Sequence, residues 1–236
     1  MKVKRYNKKS EYSFCFGAGP VMDLLREKEE KVLKVVFKES GLKDEDVIKV
    51  MEFVKSKGIE FEVNDHLIEK IASKENTYVV GVFEKYECEL EKKENHVVLV
   101  NPTNPGNVGT VLRTMLAFGF KNIVLIRPAV DVFQPSLVRS AMGALFFVNF
   151  KYFSSFEEYR KVFPNQKVFS FMLDGGKEIG EVVFEKPFSL VFGNESNGLP
   201  PFFKDYGESV YIPQSKEIDS LNLSVSVGVA LYLSSR

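Results

Sequence analysis

Apolar positions along this chain fall in short blocks whose spacing switches between the helical and the extended period. Behind Asp44, a residue type suited to cap a helix, Val47, Ile48, Met51 and Val54 recur at helical spacing. Ile59-Glu60-Phe61-Glu62-Val63 alternates strictly and predicts a strand with one buried face. Val32–Phe37 and Tyr78–Phe83 are β-branched and apolar, and predict two more strands. Pro20 predicts a helix start, as proline at the first helical position does, and Asn64 caps a short helix through Ile71. Beyond Glu94 strands are predicted at 97–100, 123–126, 168–173, 189–192 and 209–212. Helices are predicted at 108–118, 135–145, 156–162 and 220–234, the last with Ser220 as N-cap. Strand–helix alternation of this kind builds a mostly parallel sheet with helices on both faces, so the fold class is α/β.

Charge density drops near residue 95, after the run Glu87-Cys88-Glu89-Leu90-Glu91-Lys92-Lys93-Glu94. That places a domain boundary there: a small α/β domain over 1–94 and a second over 95–236. The 236 residues suffice for two compact units, and 44% hydrophobic with 27% charged residues is ordinary globular composition. The basic start, Met1 to Lys9, has no apolar core behind it, so no secretory signal is read, and no run reaches the roughly 18 apolar residues of a membrane span. Cys15 and Cys88 lack metal-ligand spacing and read as two buried free thiols of a reducing cytoplasm, with a disulfide as the alternative. With 32 basic and 32 acidic side chains, bulk charge does not argue for a nucleic-acid partner. A local patch would have to, and the basic N-terminus is either such a patch or a solvated end.

Three loop segments carry candidate chemistry. Asn101 to Arg113 follows a strand and opens a helix, and its glycines let a ligand approach backbone at a helix N-terminus, which favours anions. The glycines Gly106 and Gly109 are three apart, so a Rossmann fingerprint is poorly matched, and a plain strand-to-helix loop remains open. The segment Val191 to Pro200 runs an apolar strand into a Gly-rich turn with one acid, Glu195, which is either functional or a solvated surface group. Its Ser196 lacks the Gly-x-Ser-x-Gly elbow, and the two histidines, His66 and His96, lie far off, against a Ser–His hydrolase. Ile212-Pro213 and Ser220-Leu221-Asn222-Leu223-Ser224 end a strand and begin a helix. In that helix Ser224 and Gly228 form a small-residue face for a partner helix, a cofactor or internal packing.

Together these segments resemble the three motifs of the SpoU/TrmH branch of the SPOUT RNA methyltransferases. Asn107, Gly109, Arg113, Phe118 and Gly119 match the first motif; Gly193, Glu195, Gly198 and Leu199 the second; Ile212, Pro213, Ser220, Leu221, Asn222 and Ser224 the third. Arg139 to Ala144 resembles the family's Ser-x-Gly-Ala segment between them. Gly19 to Leu25 with Leu33 to Val36 looks like the N-terminal substrate-binding domain of many members, similar to a ribosomal RNA-binding protein fold. Where members often carry Gln before the glycine of its last strand, this chain has Val80 before Gly81.

The resemblance implies an α/β trefoil-knot catalytic domain after an RNA-binding-like domain, although general topology rules disfavour knots. It implies transfer of a methyl group from S-adenosylmethionine to a ribose 2′-hydroxyl of RNA, with no DNA or membrane partner, in the cytoplasm. The extra domain favours ribosomal over transfer RNA. The implied cofactor residues are Gly193, Ile212 and Leu221, with Leu173, Phe192 and Asn194 beside them. Arg113 is the implied key residue, a clamp on phosphate or ribose rather than a base, because a guanidinium stays charged below a pH of about 12. Glu195 is expected to orient Arg113 or the surrounding backbone, Asn107 and Asn222 to hydrogen-bond ribose and loop, and Ser220 to assist. A homodimer through the knot helices is implied, suiting the Ser224/Gly228 face. The competing readings are a non-catalytic RNA-binding module and a Rossmann-type nucleotide enzyme.

Overall fold

Side-chain caps set most of the helix starts. Asp44 Oδ1 accepts from the Asp46 and Val47 amides at 3.0 and 3.1 Å, Asn64 Oδ1 from Leu67 at 3.0 Å, and Ser155 Oγ from Glu158 at 3.2 Å. The computed structural model describes residues 3–72 and 76–236. In chain order the elements are β1 (Tyr12–Phe16), α1 (Ala18–Glu27), β2 (Val32–Phe37), α2 (Glu45–Lys57), β3 (Phe61–Val63), α3 (Asp65–Ile71) and β4 (Val79–Glu84). Then follow β5 (His96–Val100), α4 (Pro105–Ala117), β6 (Asn122–Ile126), α5 (Pro135–Ala141), β7 (Asn149–Phe153), α6 (Phe156–Val162) and β8 (Lys167–Phe171). The last elements are β9 (Lys177–Glu178), β10 (Phe188–Phe192), β11 (Glu208–Tyr211) and α7 (Leu223–Ser234).

By compactness the chain forms two units, one of Met1–Tyr86 with Asp131–Phe147, the other of Glu87–Val130 with Val148–Arg236. A break at residue 94 falls past the end of the first unit, and α5 belongs to that unit although its sequence position is within 95–236. The first unit is built on a mixed sheet of order β1-β4-β2-β3, in which only β2 and β3 pair in parallel. Gly81 of β4 is where α1 closes on the sheet: a Cβ there would lie 2.8 Å from Leu24 Cδ2. Residues 3–9 are not a loose tail. Val3 is buried with Phe14, Phe16 and Val80, Arg5 Nε donates to the Lys70 carbonyl at 3.0 Å, and Tyr6 hydrogen-bonds Asp131. Met1 and Lys2 of that basic start lie outside the described residues.

The second unit is a seven-stranded, all-parallel sheet of order β7-β6-β5-β10-β8-β11-β9. Strands β5, β6 and β10 are buried at every position, as parallel strands covered on both faces must be. His96, at the start of β5, anchors a polar group within this core. The Glu91 carbonyl, which can only accept, lies 2.9 Å from Nε2, so that nitrogen carries the hydrogen and Nδ1 accepts from the Tyr159 hydroxyl at 2.9 Å. Tyr159 in turn lies 2.5 Å from the Ser189 hydroxyl. This places His96 at the N-terminal end of its strand, opposite the end where the motif loops emerge.

Several boundaries differ from the sequence expectation. Strands β1, β7 and β9 were not expected; β1 and β7 are aromatic-rich and carry no β-branched residue. Helix α1 begins at Ala18, so Pro20 sits in its first turn rather than at its first position. Helix α4 begins at Pro105, three residues before Val108, because Asn104 caps it through the Gly106 and Asn107 amides. Helix α5 stops at Ala141, where Met142 and Gly143 take left-handed backbone with φ of 48° and 91°, and Ala144–Phe147 continues as a short 3-10 turn. Cys15 is buried but Cys88 is only half-buried, and neither forms a disulfide. Burial pushes the Cys15 thiol pKa up, so the group is an inert thiol. Among the described residues there is no metal-binding cluster, and no helix is long and apolar enough to cross a membrane.

Burial holds the His96 imidazole below its ordinary value of 6.5 against the opposing Glu91 hydrogen bond, so the folded chain takes up a proton there less readily than the unfolded one. The unfolded chain takes up that proton near pH 6.5, and stability is therefore lost as pH falls below about 6.5. Denaturant midpoints measured from about pH 7.5 to 5.5 should fall for the wild type and stay flat over that window for His96→Gln.

Candidate active site

The C-terminal ends of β5, β10, β8 and β11 lie at one edge of the parallel sheet, the edge where open α/β sheets bind ligands. Past β10 the chain turns on Asn194, whose Oδ1 accepts from the Ser196 and Asn197 amides at 2.9 and 3.3 Å and whose carbonyl accepts from Gly198 at 2.9 Å. The turn closes so tightly that a Cβ on Gly193 would sit 2.0 Å from the Gly198 carbonyl carbon. Only glycine permits that crossing.

Glu195 ties this turn to the loop before α4. Its Oε2 accepts from the Thr103 amide at 3.1 Å and hydroxyl at 3.0 Å; its Oε1 accepts from the Asn104 amide at 3.0 Å and, more weakly, from Asn107 Nδ2 at 3.4 Å. Burial raises the Glu195 pKa, but the hydrogen bonds from its own backbone, Thr103 and Asn104 outweigh it and leave the carboxylate below its ordinary value. Asn107 Oδ1 then accepts from Asn222 Nδ2 at 3.2 Å, and Asn222 Oδ1 caps α7 through the Ser224 amide at 2.9 Å and hydroxyl at 2.7 Å. One polar chain therefore joins the three motif loops. A further strut, Asn194 Nδ2 to the Asn101 carbonyl at 2.8 Å, fixes Asn101, which has a φ of 52°.

Beside this chain lies a cavity of about 340 Å³, within the range of small-ligand sites. Phe171 and Phe192, stacked 4.5 Å apart, contribute to its wall. Leu173, Gly193, Asn194, Glu195, Ile212, Ser220 and Leu221 line it as well. All six expected cofactor residues are thus at one cavity, together with Glu195 and Ser220, while Leu173 remains 69% exposed at its rim.

The remaining expected residues fall outside the lining. Asn107 and Asn222 reach the cavity only through Glu195 and the cap. Arg113 is exposed on α4, and no ion pair or hydrogen bond joins it to Glu195 among the described residues. Six residues beyond Asn107, it lies about 9 Å further along the helix on a different face. Of the two roles open to Glu195, holding backbone is the one observed. Ser220 does not cap α7; Asn222 does, and Ser220 belongs to the cavity. Gly228 is used inside the chain, where α7 packs on α4 with Thr114 Cγ2 3.6 Å from the position of its Cβ, while Ser224 bonds the Asn222 cap. Gly109 is buried within α4 and forms no phosphate loop, which removes the Rossmann reading. Thr103, Asn104 and Asn101 were missed as site-building residues; the Asn-Pro step at 104–105 was the available signal for the cap.

An α/β sheet whose motif loops knit around one ligand-sized cavity is consistent with the trefoil-knot fold of SPOUT methyltransferases, and solved structures agree on that class. The AdoMet-bound rRNA methyltransferase from Sinorhizobium meliloti superposes with a TM-score of 0.81 at 27% identity, over 95% of this chain and 87% of that one. A structure described by its work on 2-OH methylation of C/U34 on tRNA matches at 34% identity and TM-score 0.57, over 61% of this chain and 95% of that one. The model of the SpoU rRNA Methylase family matches residues 94–232, and the chain belongs to that family. An uncharacterised tRNA/rRNA methyltransferase of Synechocystis is 32% identical over 58% of this chain, which spans about half (51%) of that relative's length. A 23S rRNA (guanosine-2′-O-)-methyltransferase of Acinetobacter baylyi is 28% identical over 93% of this chain and 95% of its own length.

Removing the Glu195 carboxylate leaves the Thr103 and Asn104 amides without their acceptor. Hydrogen bonds to a charged group contribute about 1.5–3 kcal/mol, so Glu195→Ala should lower the denaturation free energy by about that amount with the secondary structure intact. An unchanged midpoint would show that the three loops hold together without it.

Proposed function

We propose that this protein transfers a methyl group from S-adenosylmethionine to a ribose 2′-hydroxyl of ribosomal RNA. The observation that carries this reading is the convergence of all three motif loops on one cavity through Glu195. The residues fit the cofactor: aromatic walls suit an adenine, the Gly193 turn exposes backbone to it, and Asn194, Gln214, Ser220 and Ser226 offer polar atoms for ribose and amino-acid groups. Bound there, the cofactor supplies an electrophilic methyl group on a sulfonium.

The protein's own task is then alignment and charge. Phe192, Gly193, Asn194, Ile212 and Leu221, with Leu173 at the rim, hold the donor. The Glu195–Asn107–Asn222 chain keeps the start of α4 in register with that pocket, so that Arg113 is presented at a fixed offset from it. Arg113 clamps phosphate or ribose and stabilises the alkoxide forming on the hydroxyl oxygen, since its guanidinium is exposed, cationic and free of an acid partner among the described residues. Holding donor and acceptor in line lowers the barrier by several kcal/mol, up to about 7–11 in well-oriented systems.

Ribosomal RNA is favoured over transfer RNA because the relatives and structures that cover more than nine tenths of this chain include rRNA methyltransferases, whereas the tRNA-linked structure covers only 61%. In place of a break at residue 94, the unit of Met1–Tyr86 with Asp131–Phe147 acts as the RNA-binding domain and that of Glu87–Val130 with Val148–Arg236 as the catalytic domain. A homodimer forms on the outer face of α7. That helix is apolar on all sides, which is characteristic of a buried helix, yet Val225 and Tyr232, seven residues apart, are 50% and 43% exposed. The work is cytoplasmic, where ribosomal RNA is found.

Two variants separate binding from turnover. Arg113→Ala should lose transfer of a labelled methyl group to RNA by about a hundredfold or more while keeping S-adenosylmethionine affinity in calorimetry. Gly193→Ala, whose Cβ collides with the Gly198 backbone, should lose that affinity. Normal turnover in the first, or unchanged affinity in the second, would contradict the assignment; a wild type that binds RNA without methylating it would establish the non-catalytic module.

A further inference from the structure

We propose that Arg127 is a second RNA-backbone contact, a phosphate clamp that positions the strand beside the methylated nucleotide. The inference rests on the RNA methyltransferase reading and adds a substrate-binding residue outside the three motifs.

Arg127 follows β6 directly, and Ile126 pairs in register with Val100 of β5, while Leu99 pairs with Phe192 of β10. Arg127 is therefore level with Asn101 and close to the level of Gly193, on the same edge of the sheet as the cavity. It stands two strands from β10, or about 10 Å.

Its backbone is pinned from both sides. The Arg127 amide donates to the Phe153 carbonyl at 2.9 Å, and its carbonyl accepts from Asn101 Nδ2 at 2.8 Å. Asn101 is the residue held by Asn194, so an unbroken set of hydrogen bonds runs from the cavity turn to Arg127. The side chain is exposed but not free to wander, because its guanidinium carbon lies 4.5 Å from the centre of the Tyr152 ring. The Tyr152 hydroxyl is itself anchored, donating to the Val130 carbonyl at 2.8 Å.

Stacking on an aromatic face covers one side of the guanidinium and leaves its N–H edge open, the edge that bonds a phosphate in bidentate fashion. Among the described residues no acid pairs with Arg127, although Lys31, Lys34, Lys38, Lys57, Lys151 and Lys204 all have carboxylate partners. A cation that is oriented, unneutralised and fixed to the cavity edge fits an anionic strand lying along that edge. On a chain of zero net charge, contacts to RNA have to come from such local placement.

Salt dependence reads a phosphate contact directly. Binding of a fluorescent single-stranded oligouridine is measured across ionic strength for wild type, Arg127→Gln, Arg127→Lys and Tyr152→Leu, with methylation of ribosomal RNA assayed in parallel. Arg127→Gln should reduce the slope of log affinity against log salt by about 0.7. It should raise KM for RNA about tenfold, with kcat and S-adenosylmethionine affinity unchanged. Arg127→Lys, which keeps the charge, should retain the slope, and Tyr152→Leu, which removes the mount, should raise KM without changing the slope as much. An Arg127→Gln protein with wild-type slope and KM overturns the clamp and leaves the methyltransferase reading standing. A wild type that neither binds nor methylates RNA overturns the reading itself.

Discussion

The architecture of the site depends on one carboxylate. Glu195 sits on the turn after β10 and gathers the Thr103 amide and hydroxyl, the Asn104 amide and the Asn107 side chain from a segment about ninety residues earlier. Without that acceptor, the two strand-end loops would keep the Asn194–Asn101 hydrogen bond but lose every bond from Glu195 to Thr103, Asn104 and Asn107. With it, the cap of α4, the cavity wall and the cap of α7 form one connected set, since Asn107 passes the connection on to Asn222. A charged acceptor serves this purpose better than a neutral one: it forms stronger hydrogen bonds to several donors at once. Its depressed pKa keeps it ionised through the neutral range.

The sheet beneath supplies rigidity. Its central strands are fully buried, and the loops emerge from their ends with little freedom to move apart. The proposed methyl transfer requires this, because an electrophilic methyl donor needs a correctly placed nucleophile more than it needs an acid or a base. Among the described residues that line the cavity there is no histidine. His96 is spent at the opposite end of β5, where it satisfies the buried hydroxyl of Tyr159.

Much of this was legible in the sequence, for identifiable reasons. The motif loops stand out because Gly193, Gly198 and Asn194 perform local backbone tasks that other residue types perform poorly. The parallel sheet stands out because buried strands such as Val97–Val100 and Ile123–Ile126 are β-branched and apolar. What escaped was either aromatic or non-local. Tyr12–Phe16 and Asn149–Phe153 pair into sheets through partners distant in sequence, and neither has the β-branched signature. Ser220 and Asn222 are equally good caps by composition; the reach of Asn222 to Asn107 selects between them. Residues 131–147 read as part of the second domain, yet Phe133 and Phe146 pack on Phe83, a relationship invisible to any local pattern.

Ribose methylation of ribosomal RNA by these loops is the proposal on which the roles of Glu195 and Arg113 rest. The most direct test is mass-spectrometric nucleoside mapping of ribosomal and transfer RNA from cells with and without the gene. One 2′-O-methylated nucleoside should disappear from the ribosomal pool and return with the wild-type gene but not with Arg113→Ala. Identical modification in both pools, with and without the gene, would contradict the claim.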